Sequence, residues 1–302
     1  DRKKEGYGPN NESFKYFINK NVKLIFTVDC GTLSFEAIEF AKKNNIDVIV
    51  LDHHQSEINL PKAYSIINPN RLDDKSNLNY LCAAGVTFMF LVSLNKHLRL
   101  INWFKEKKIQ EPNLIEYLDL VSLGTVCDVV PLTGLNRAIV KQGLKVLKSK
   151  KNLGLKTLID ICGINTQPNI YHMGYVLGPR INAGGRVGKS SHGANLLLNN
   201  NAKEVFKIAS ELDQFNKERQ YLEEDVLNKI AIEANKTQSD PVIILSGKNW
   251  HEGVIGIVAS RLKDKFNKPV IIITVDKNLG KASARSVIGF DIGSIIIAAM
   301  QE

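Results

Sequence analysis

Carboxylate and imidazole side chains, which divalent metal ions accept as ligands, occur in three separate segments of the chain. Asp29 follows one apolar run, the consecutive Asp52, His53 and His54 follow a second, and Asp128 lies shortly before a proline. Carboxylates mixed with imidazole, without a thiolate, favour Mn²⁺ or Mg²⁺ over structural zinc. Clustered carboxylates repel one another, so their burial together calls for a cation. Two such ions about 3.5–4 Å apart could activate water and stabilise the leaving oxygen of a phosphodiester.

Each of these residues also has an ordinary structural interpretation. An aspartate after a strand or helix often belongs to a turn, which would account for Asp29 or Asp128 taken alone. Two adjacent histidines at a strand end seldom serve packing, so His53 and His54 carry most of the prediction. Asp52 is predicted to orient its neighbours rather than to bind the metal.

The surrounding pattern predicts the elements that position these residues. Apolar runs at 22–28 and 46–51 predict strands, and the segment 35–45 between them predicts a helix. Strand, helix and strand form a right-handed unit with parallel strands. Asp29 and Asp52 would then emerge at the same sheet edge, about 5–10 Å apart. In open α/β sheets, ligands bind at that edge.

A second set of candidates lies in a run that is rich in glycine and arginine. Residues 178–186 contain too many of both to predict a regular element. The guanidinium groups of Arg180 and Arg186 beside a flexible backbone suit phosphate recognition. A surface turn that carries solvated arginines is the alternative.

The last third of the chain predicts a separate βα unit. A long amphipathic helix is expected at 202–236, followed by a break and then new strands. The glycine-punctuated helix start after His251, beginning at Gly253, would let backbone N–H groups approach an anion. A polar strand near 281–286 would present two further polar side chains on one face, those of Ser283 and Arg285.

Composition narrows the class of protein. The net charge of +9 and the pI near 9.2 fit a polyanionic partner, although a lysine-rich and asparagine-rich composition alone would give the same values. No apolar stretch is long enough to span a bilayer, so no membrane association is expected. The four cysteines are widely spaced, which favours a reducing cytoplasm.

Several runs together resemble the DHH phosphoesterases, and within them the single-strand-specific 5′→3′ DNA exonucleases. They are VDCG at 28–31, LDHH at 51–54, GTVCDVVPL at 124–132, GPRINAGGR at 178–186, GVIGIVA at 253–259 and SARS at 283–286. The resemblance implies an α/β fold with a parallel-sheet catalytic domain, a long helix and a smaller α/β substrate-binding domain. The expected limits are 1–200, 201–236 and 237–302.

The resemblance also implies roles for individual residues. Asp29, His53 and Asp128 would bind Mn²⁺ or Mg²⁺, two ions in the intact protein, and His54 would be a ligand or a close neighbour of the ions. A second group would contact single-stranded DNA. Ser283 and Arg285 would hold its 5′-terminal phosphate or the nearby backbone, and Arg180 and Arg186 would face its phosphates or order the metal cleft. The other members of this group are Asn182, His251 and Gly253.

The biological setting implied is DNA repair and recombination in the cytoplasm. The protein would act as a monomer assisted by a single-strand-binding protein and a helicase. The family's Asp-rich first motif and its C-terminal segments are expected outside this chain, so a fragment could lack activity. The alternatives are a DHH phosphodiesterase or pyrophosphatase acting on nanoRNA, cyclic dinucleotides or pyrophosphate, or an inactive DNA-binding scaffold.

Overall fold

The computed structural model describes residues 8–276 and 279–301, and the predicted outer limits of the first and last domains, residues 1 and 302, lie outside these ranges. The chain divides into two compact units. The first comprises Asp1–Pro179 and Ala194–Ala209, and the second comprises Arg180–Gly193 and Ser210–Glu302. No helix among the described residues is both long and apolar enough to cross a membrane.

The first unit begins with the predicted βαβ arrangement. Its first elements are α1 (Asn11–Ile18), β1 (Leu24–Val28), α2 (Phe35–Lys43), β2 (Asp47–Leu51) and β3 (Ser65–Ile67). The three strands form a parallel sheet in the order β1-β2-β3. Alternate residues of β2 are buried, Val48 and Val50, and they pack with α2 residues Ile38 and Ala41 in one apolar core. Burial of these branched side chains fixes the strand register.

The register determines where the predicted ligands emerge. Val28 lies opposite Leu51, so the chain leaves both strands at the same level of the sheet. The backbone N–H of Asp29 donates to the carbonyl of Leu51 at 3.0 Å, and that of Asp52 donates to Ile67 at 3.1 Å. The predicted shared edge for Asp29 and Asp52 is therefore confirmed.

Helices make up the rest of the first unit. They include α3 (Ala83–Leu100), α4 (Trp103–Lys107), a 3₁₀ turn (Leu114–Tyr117), α5 (Leu118–Cys127), α6 (Gly134–Lys148), α7 (Leu153–Ile161) and a π-helical segment (His172–Leu177). Asp128 is the C-terminal cap residue of α5. The predicted position of this aspartate, after a helix and before a proline, is confirmed.

The prediction that 178–186 is irregular was wrong. This run forms helix α8 (Gly178–Val187), followed by α9 (His192–Leu198). The glycines allow close packing rather than flexibility: a Cβ on Gly178 would lie 2.3 Å from Cys127 Sγ, and one on Gly184 would lie 3.0 Å from Leu212 Cδ2. Tertiary packing thus outweighs the low helix propensity of glycine.

The second unit contains a mixed sheet. The long helix α10 (Ala202–Lys236) has the limits predicted for it, and its residues from Ser210 onward fall in this unit. After α10 come a 3₁₀ turn (Thr237–Ser239), β4 (Ile243–Lys248), α11 (Glu252–Phe266), β5 (Val270–Asp276), β6 (Leu279–Arg285) and α12 (Ile292–Gln301). β5 pairs with β4 in parallel and with β6 in antiparallel orientation.

Candidate metal centre

The carboxylate of Asp52 organises the strand end that carries the two histidines. One carboxylate oxygen accepts hydrogen bonds from the backbone N–H groups of His53 and His54, at 2.8 and 3.2 Å. The other oxygen accepts from the Thr32 N–H at 3.0 Å. Burial alone would raise the pKa of Asp52, but the hydrogen bonds from Thr32, His54 and His53 outweigh it and lower that pKa to about 2. Asp52 is therefore a buried, ionised acceptor, as predicted for an orienting residue.

The same carboxylate sets the orientation of one imidazole ring. His54 Nδ1 lies 2.7 Å from Asp52 Oδ1, so Nδ1 carries the proton and donates it. The lone pair of the ring is then on Nε2, the atom available to a metal ion. The imidazole is 58% exposed, which leaves that nitrogen accessible.

His53 lies between two carboxylates from different elements. Its Nε2 is 3.3 Å from Asp29 Oδ1 and 3.5 Å from Asp128 Oδ2. The hydrogen bond to Asp29 raises the pKa of His53, with a further contribution from the charge of Asp128. Burial raises the pKa of Asp128. Two acids and an imidazole share this small volume, and a cation between them would relieve the repulsion of the carboxylates.

The donor set fits a divalent ion. Ligand atoms of Asp29, His53 and His54 all lie within 4.8 Å of one another, and Asp128 approaches the group through His53. Oxygen and nitrogen donors in this combination suit Mn²⁺ or Mg²⁺. The structure thus brings together all four predicted catalytic residues.

Backbone conformation on both sides of the site is unusual. Asp29 has φ +61° and Val129, next to Asp128, has φ +59°, both in the left-handed region. A β-branched residue rarely adopts that conformation, and such local strain is concentrated at functional sites. Gly31 has φ +114°, and a Cβ there would lie 2.6 Å from Thr27 Oγ1. These loops are held in place by their surroundings.

Two asparagines that the sequence did not single out support the site. Asn68 Nδ2 donates to Thr32 Oγ1 and to the His54 carbonyl, each at 2.9 Å. Asn70 Nδ2 donates to the His53 carbonyl. The signal for them was their place at the end of β3, beside the strand that carries the histidines.

The predicted phosphate-binding arginines of α8 lie in the second unit and have protein partners. Arg180 Nε donates to Asp213 Oδ1 at 2.8 Å, and Asp213 also pairs with Lys217. Burial would raise the pKa of Asp213, but hydrogen bonds from Lys217 and Arg180 lower it. Asn182 is exposed on the same helix.

Arg186 lies next to two other predicted residues. Its Nη1 donates to the Gly253 carbonyl at 3.1 Å. A Cβ on Gly253 would lie 2.5 Å from the Arg186 carbonyl oxygen, so this glycine allows two backbones to approach each other. His251 caps α11, with its Nδ1 accepting from the Gly253 N–H at 3.1 Å. All three residues thus have structural partners.

The remaining predicted pair lies together on β6. Arg285 Nη1 donates to Ser283 Oγ at 3.2 Å, and a Cβ on Gly256 would lie 3.0 Å from that oxygen and 3.1 Å from Arg285 Nη2. The guanidinium is exposed and the hydroxyl is half-buried. The missing side chain of Gly256 leaves room for both polar groups on this face of α11.

Two domain families and several sequence relatives match the chain. The DHH family N-terminal domain matches residues 3–125, and the DHHA1 domain matches residues 219–302. The single-stranded-DNA-specific exonuclease RecJ of Salmonella typhimurium is 39% identical over 96% of this chain, and that of Bacillus subtilis is 36% identical over 97%. This chain covers 52% and 36% of those proteins, about half or less of their length.

Solved structures agree with the sequence relatives. A crystal structure of exonuclease RecJ bound to manganese superimposes with a TM-score of 0.81 at 31% identity, covering 98% of this chain and 71% of that one. RecJ from Thermus thermophilus in complex with Mn²⁺ gives a TM-score of 0.81 at 30% identity, covering 97% and 42%. The chain therefore belongs to the RecJ family. The family and fold class predicted from the sequence are confirmed.

Proposed function

We propose that the protein is a divalent-metal-dependent exonuclease that hydrolyses phosphodiester bonds of single-stranded DNA from the 5′ end. The observation that carries the proposal is the convergence of Asp29, His53, His54 and Asp128 at the end of β1, β2 and α5. The relatives named for single-stranded-DNA-specific exonuclease activity, and the RecJ structures with Mn²⁺ and Mg²⁺, support it.

In this proposal the side chains have distinct tasks. Asp29, His53 and Asp128 would hold Mn²⁺ or Mg²⁺, and His54 would present the lone pair of Nε2 to the ion or accept a hydrogen bond there from a water molecule beside it. When bound, the metal supplies a more acidic water and neutralises charge on the phosphate. Asp52 holds the backbone of His53 and His54 in place and fixes the His54 tautomer.

The test measures nucleotide release from a single-stranded oligonucleotide by the full chain with Mn²⁺ or Mg²⁺. We expect His53→Ala and Asp128→Ala each to reduce the rate at least about 10³-fold, because each removes a proposed metal ligand. Circular dichroism should show an unchanged fold. His97→Ala, on exposed α3, is the matched control and should retain full activity. Robust cleavage by either site variant would overturn the metal assignment.

Substrate and direction are tested with labelled strands. A 5′ label should appear in short products at once, whereas a 3′ label should remain in long products until the strand is consumed. Early loss of the 3′ label contradicts the direction. Cyclic dinucleotides and very short RNAs serve as competing substrates, and faster hydrolysis of either would favour a different DHH phosphodiesterase.

We also propose that Ser283 and Arg285 contact a terminal phosphate of the strand. The exposed guanidinium of Arg285 and the half-buried hydroxyl of Ser283 lie together beside Gly256, where an anion could reach both. Arg285→Gln should weaken binding of 5′-phosphorylated strands and lower the salt slope of binding by the equivalent of about one phosphate contact. An unchanged affinity would exclude Arg285 from the phosphate site. The other predicted strand contacts stay predictions: Arg180, Asn182, Arg186, His251 and Gly253.

The setting of the activity is likewise proposed. We place it in the cytoplasm, in DNA repair and recombination, with a monomeric enzyme aided by a single-strand-binding protein and a helicase. Light scattering of the purified protein tests the monomer. Stimulation of digestion on duplexes by an added helicase tests the assisted role.

A further inference from the structure

Positive charge is segregated in the part of the first unit that follows Asp128. Residues 129–159 contain seven lysines and arginines and not one aspartate or glutamate. Four of the seven lie on α6 at steps of four, four and three residues: Arg137, Lys141, Lys145 and Lys148. These steps place them on one side of a helix, along about 16 Å of its length. We call these four residues the α6 stripe.

Burial confirms that the α6 stripe faces outward. All four of its side chains are exposed. The opposite side of α6 is buried, through Asn136, Ile139, Val140, Gly143 and Leu147. The orientation of the stripe is therefore fixed by the packing of α6 against its own unit.

The charge of the stripe is uncompensated. Within the described residues, none of its four side chains forms an ion pair or a side-chain hydrogen bond. Neighbouring lysines differ, since Lys150 pairs with Asp160 at 3.2 Å and Lys151 pairs with Glu116 at 2.6 Å. Four aligned cations with no acidic partner raise the local potential and attract a polyanion.

The stripe is rigidly connected to the metal centre of the same unit. Asn136, which is fully buried, donates from Nδ2 to the carbonyls of Pro131 at 2.9 Å and Tyr80 at 2.7 Å. These bonds tie the first turn of α6 to the segment that leaves Asp128. A strand bound at the metal centre and one bound along α6 would thus meet surfaces with a fixed spacing.

A cavity of about 510 Å³ lies at the far end of the stripe. Lys148 lines it together with the ion pair of Lys150 and Asp160 and with the polar side chains of Asn165, Thr166 and Gln167. Amide and hydroxyl groups can donate to and accept from the edge of a nucleobase. The cavity would accommodate one nucleotide of a strand that follows the stripe.

We propose that the α6 stripe is a second binding track for the sugar–phosphate backbone of a nucleic-acid strand, ending at this cavity. The inference rests on the proposed function only in taking single-stranded DNA as the nucleic acid that binds. A row of cations along one helix matches a backbone with regularly repeated phosphates. A membrane surface is disfavoured, because none of the described residues between 130 and 169 is a large exposed apolar side chain.

The test compares two matched variants of the full chain. One replaces the α6 stripe with glutamine (R137Q/K141Q/K145Q/K148Q). The other removes the same charge from exposed lysines elsewhere in the first unit (K75Q/K96Q/K105Q/K107Q). Binding of single strands of about 6 and about 40 nucleotides is measured without Mn²⁺ or Mg²⁺ over a range of salt concentrations.

The stripe variant should bind the long strand at least about tenfold more weakly, and its salt slope should fall by up to about 3, at about 0.7 per phosphate contact. Binding and Mn²⁺-dependent cleavage of the short strand should be unchanged, as should every property of the control variant. Equal losses of affinity in the stripe and control variants would overturn the inference, as would an unchanged affinity of the stripe variant for the long strand. If the stripe variant lost the binding to poly-glutamate that the wild type shows, but bound DNA as the wild type does, the partner of the stripe would be an acidic polypeptide instead.

The same measurements distinguish a failure of the exonuclease proposal from a failure of the binding track. If the wild-type chain binds the long strand through the stripe but releases no nucleotides with Mn²⁺, the track stands and the exonuclease proposal fails. If the wild-type chain cleaves short strands and the stripe variant binds long strands normally, the track fails and the exonuclease proposal stands.

Discussion

The most informative single substitution is Asp52→Asn. It preserves the size of the side chain and removes its charge at the position where four hydrogen bonds converge. The ordinary pKa of 3.8 falls to about 2 in the folded protein. At 1.36 kcal/mol per pKa unit, the difference corresponds to about 2.5 kcal/mol of stability at neutral pH. Asn can accept with one oxygen only, so the Thr32 N–H loses its acceptor.

The pH dependence has a definite sign. Because the folded pKa of Asp52 is lower than the unfolded one, the stabilisation is fully present above about pH 4 and is lost as the pH falls through about 2. Near pH 3 about 1.3 kcal/mol of it remains. The difference between wild type and Asp52→Asn in the free energy of unfolding should therefore shrink by about 1 kcal/mol between pH 6 and pH 3.

Urea denaturation at several pH values measures this difference. Asp119→Asn is the matched control, since Asp119 is also buried in the first unit but burial raises its pKa. Removing that charge should leave stability at pH 7 unchanged or higher. Equal stability of Asp52→Asn and wild type at pH 7, or a difference that does not depend on pH, would refute the assigned role.

Asp52→Asn should also weaken metal binding. The carboxylate holds the Nδ1 proton of His54, and loss of such a partner costs about 10–100-fold in metal affinity. Isothermal titration with Mn²⁺ at pH 7 measures the change directly. Wild-type affinity in a correctly folded variant would show that the His54 tautomer does not matter to the ion.

Two further substitutions test packing in each unit, with thermal unfolding as the assay. Gly143→Ala should destabilise the first unit by about 1–3 kcal/mol or more, because the new Cβ would lie 1.8 Å from Ser122 Oγ. Glu223→Ala should cost the second unit about 3–5 kcal/mol, because it leaves the buried guanidinium of Arg219 without the carboxylate that it now contacts at 2.7 Å.

Each substitution has a control. Gly185→Ala, on α8, places a Cβ where nothing lies within 4 Å, so it should not destabilise. Arg261→Ala removes the second cation beside Glu223, but its side chain is 62% exposed and the loss should be small. Equal effects of a substitution and its control would contradict the packing explanation.

The positions of the candidate metal ligands could be predicted from the sequence because their signals are local, whereas their roles as ligands were implied by the resemblance to the DHH phosphoesterases. An apolar strand that stops at a polar residue fixes where that residue emerges, and parallel pairing then brings Asp29 and Asp52 to one edge. Asp128 needed no more than a helix end and a following proline. The approach of Asp128 to His53 does depend on how distant segments pack, and only the resemblance to the DHH phosphoesterases implied it.

The helix at α8 could not be predicted because its cause is tertiary. Glycines 178 and 184 lower helix propensity, and the sequence alone gives no sign that Cys127 and Leu212 will lie against them. The partners of the arginines are likewise set by tertiary packing and could not be predicted from the sequence. Arg180 suggested an anion site by its chemistry, whereas its nearest charged partner, Asp213, lies 33 residues away.

Hydrogen bonding explains why Asp52 differs in role from the two histidines that follow it. Asp52 is buried to 1% exposure and its oxygens are already occupied by N–H donors, so it has little capacity left for a cation. The Nε2 atom of His54 is turned away from Asp52, and that of His53 faces the carboxylates of Asp29 and Asp128 at the candidate site. Replacing the aspartate with asparagine and the histidines with alanine should therefore act differently: the first lowers stability and metal affinity together, and the second removes activity from a stable fold.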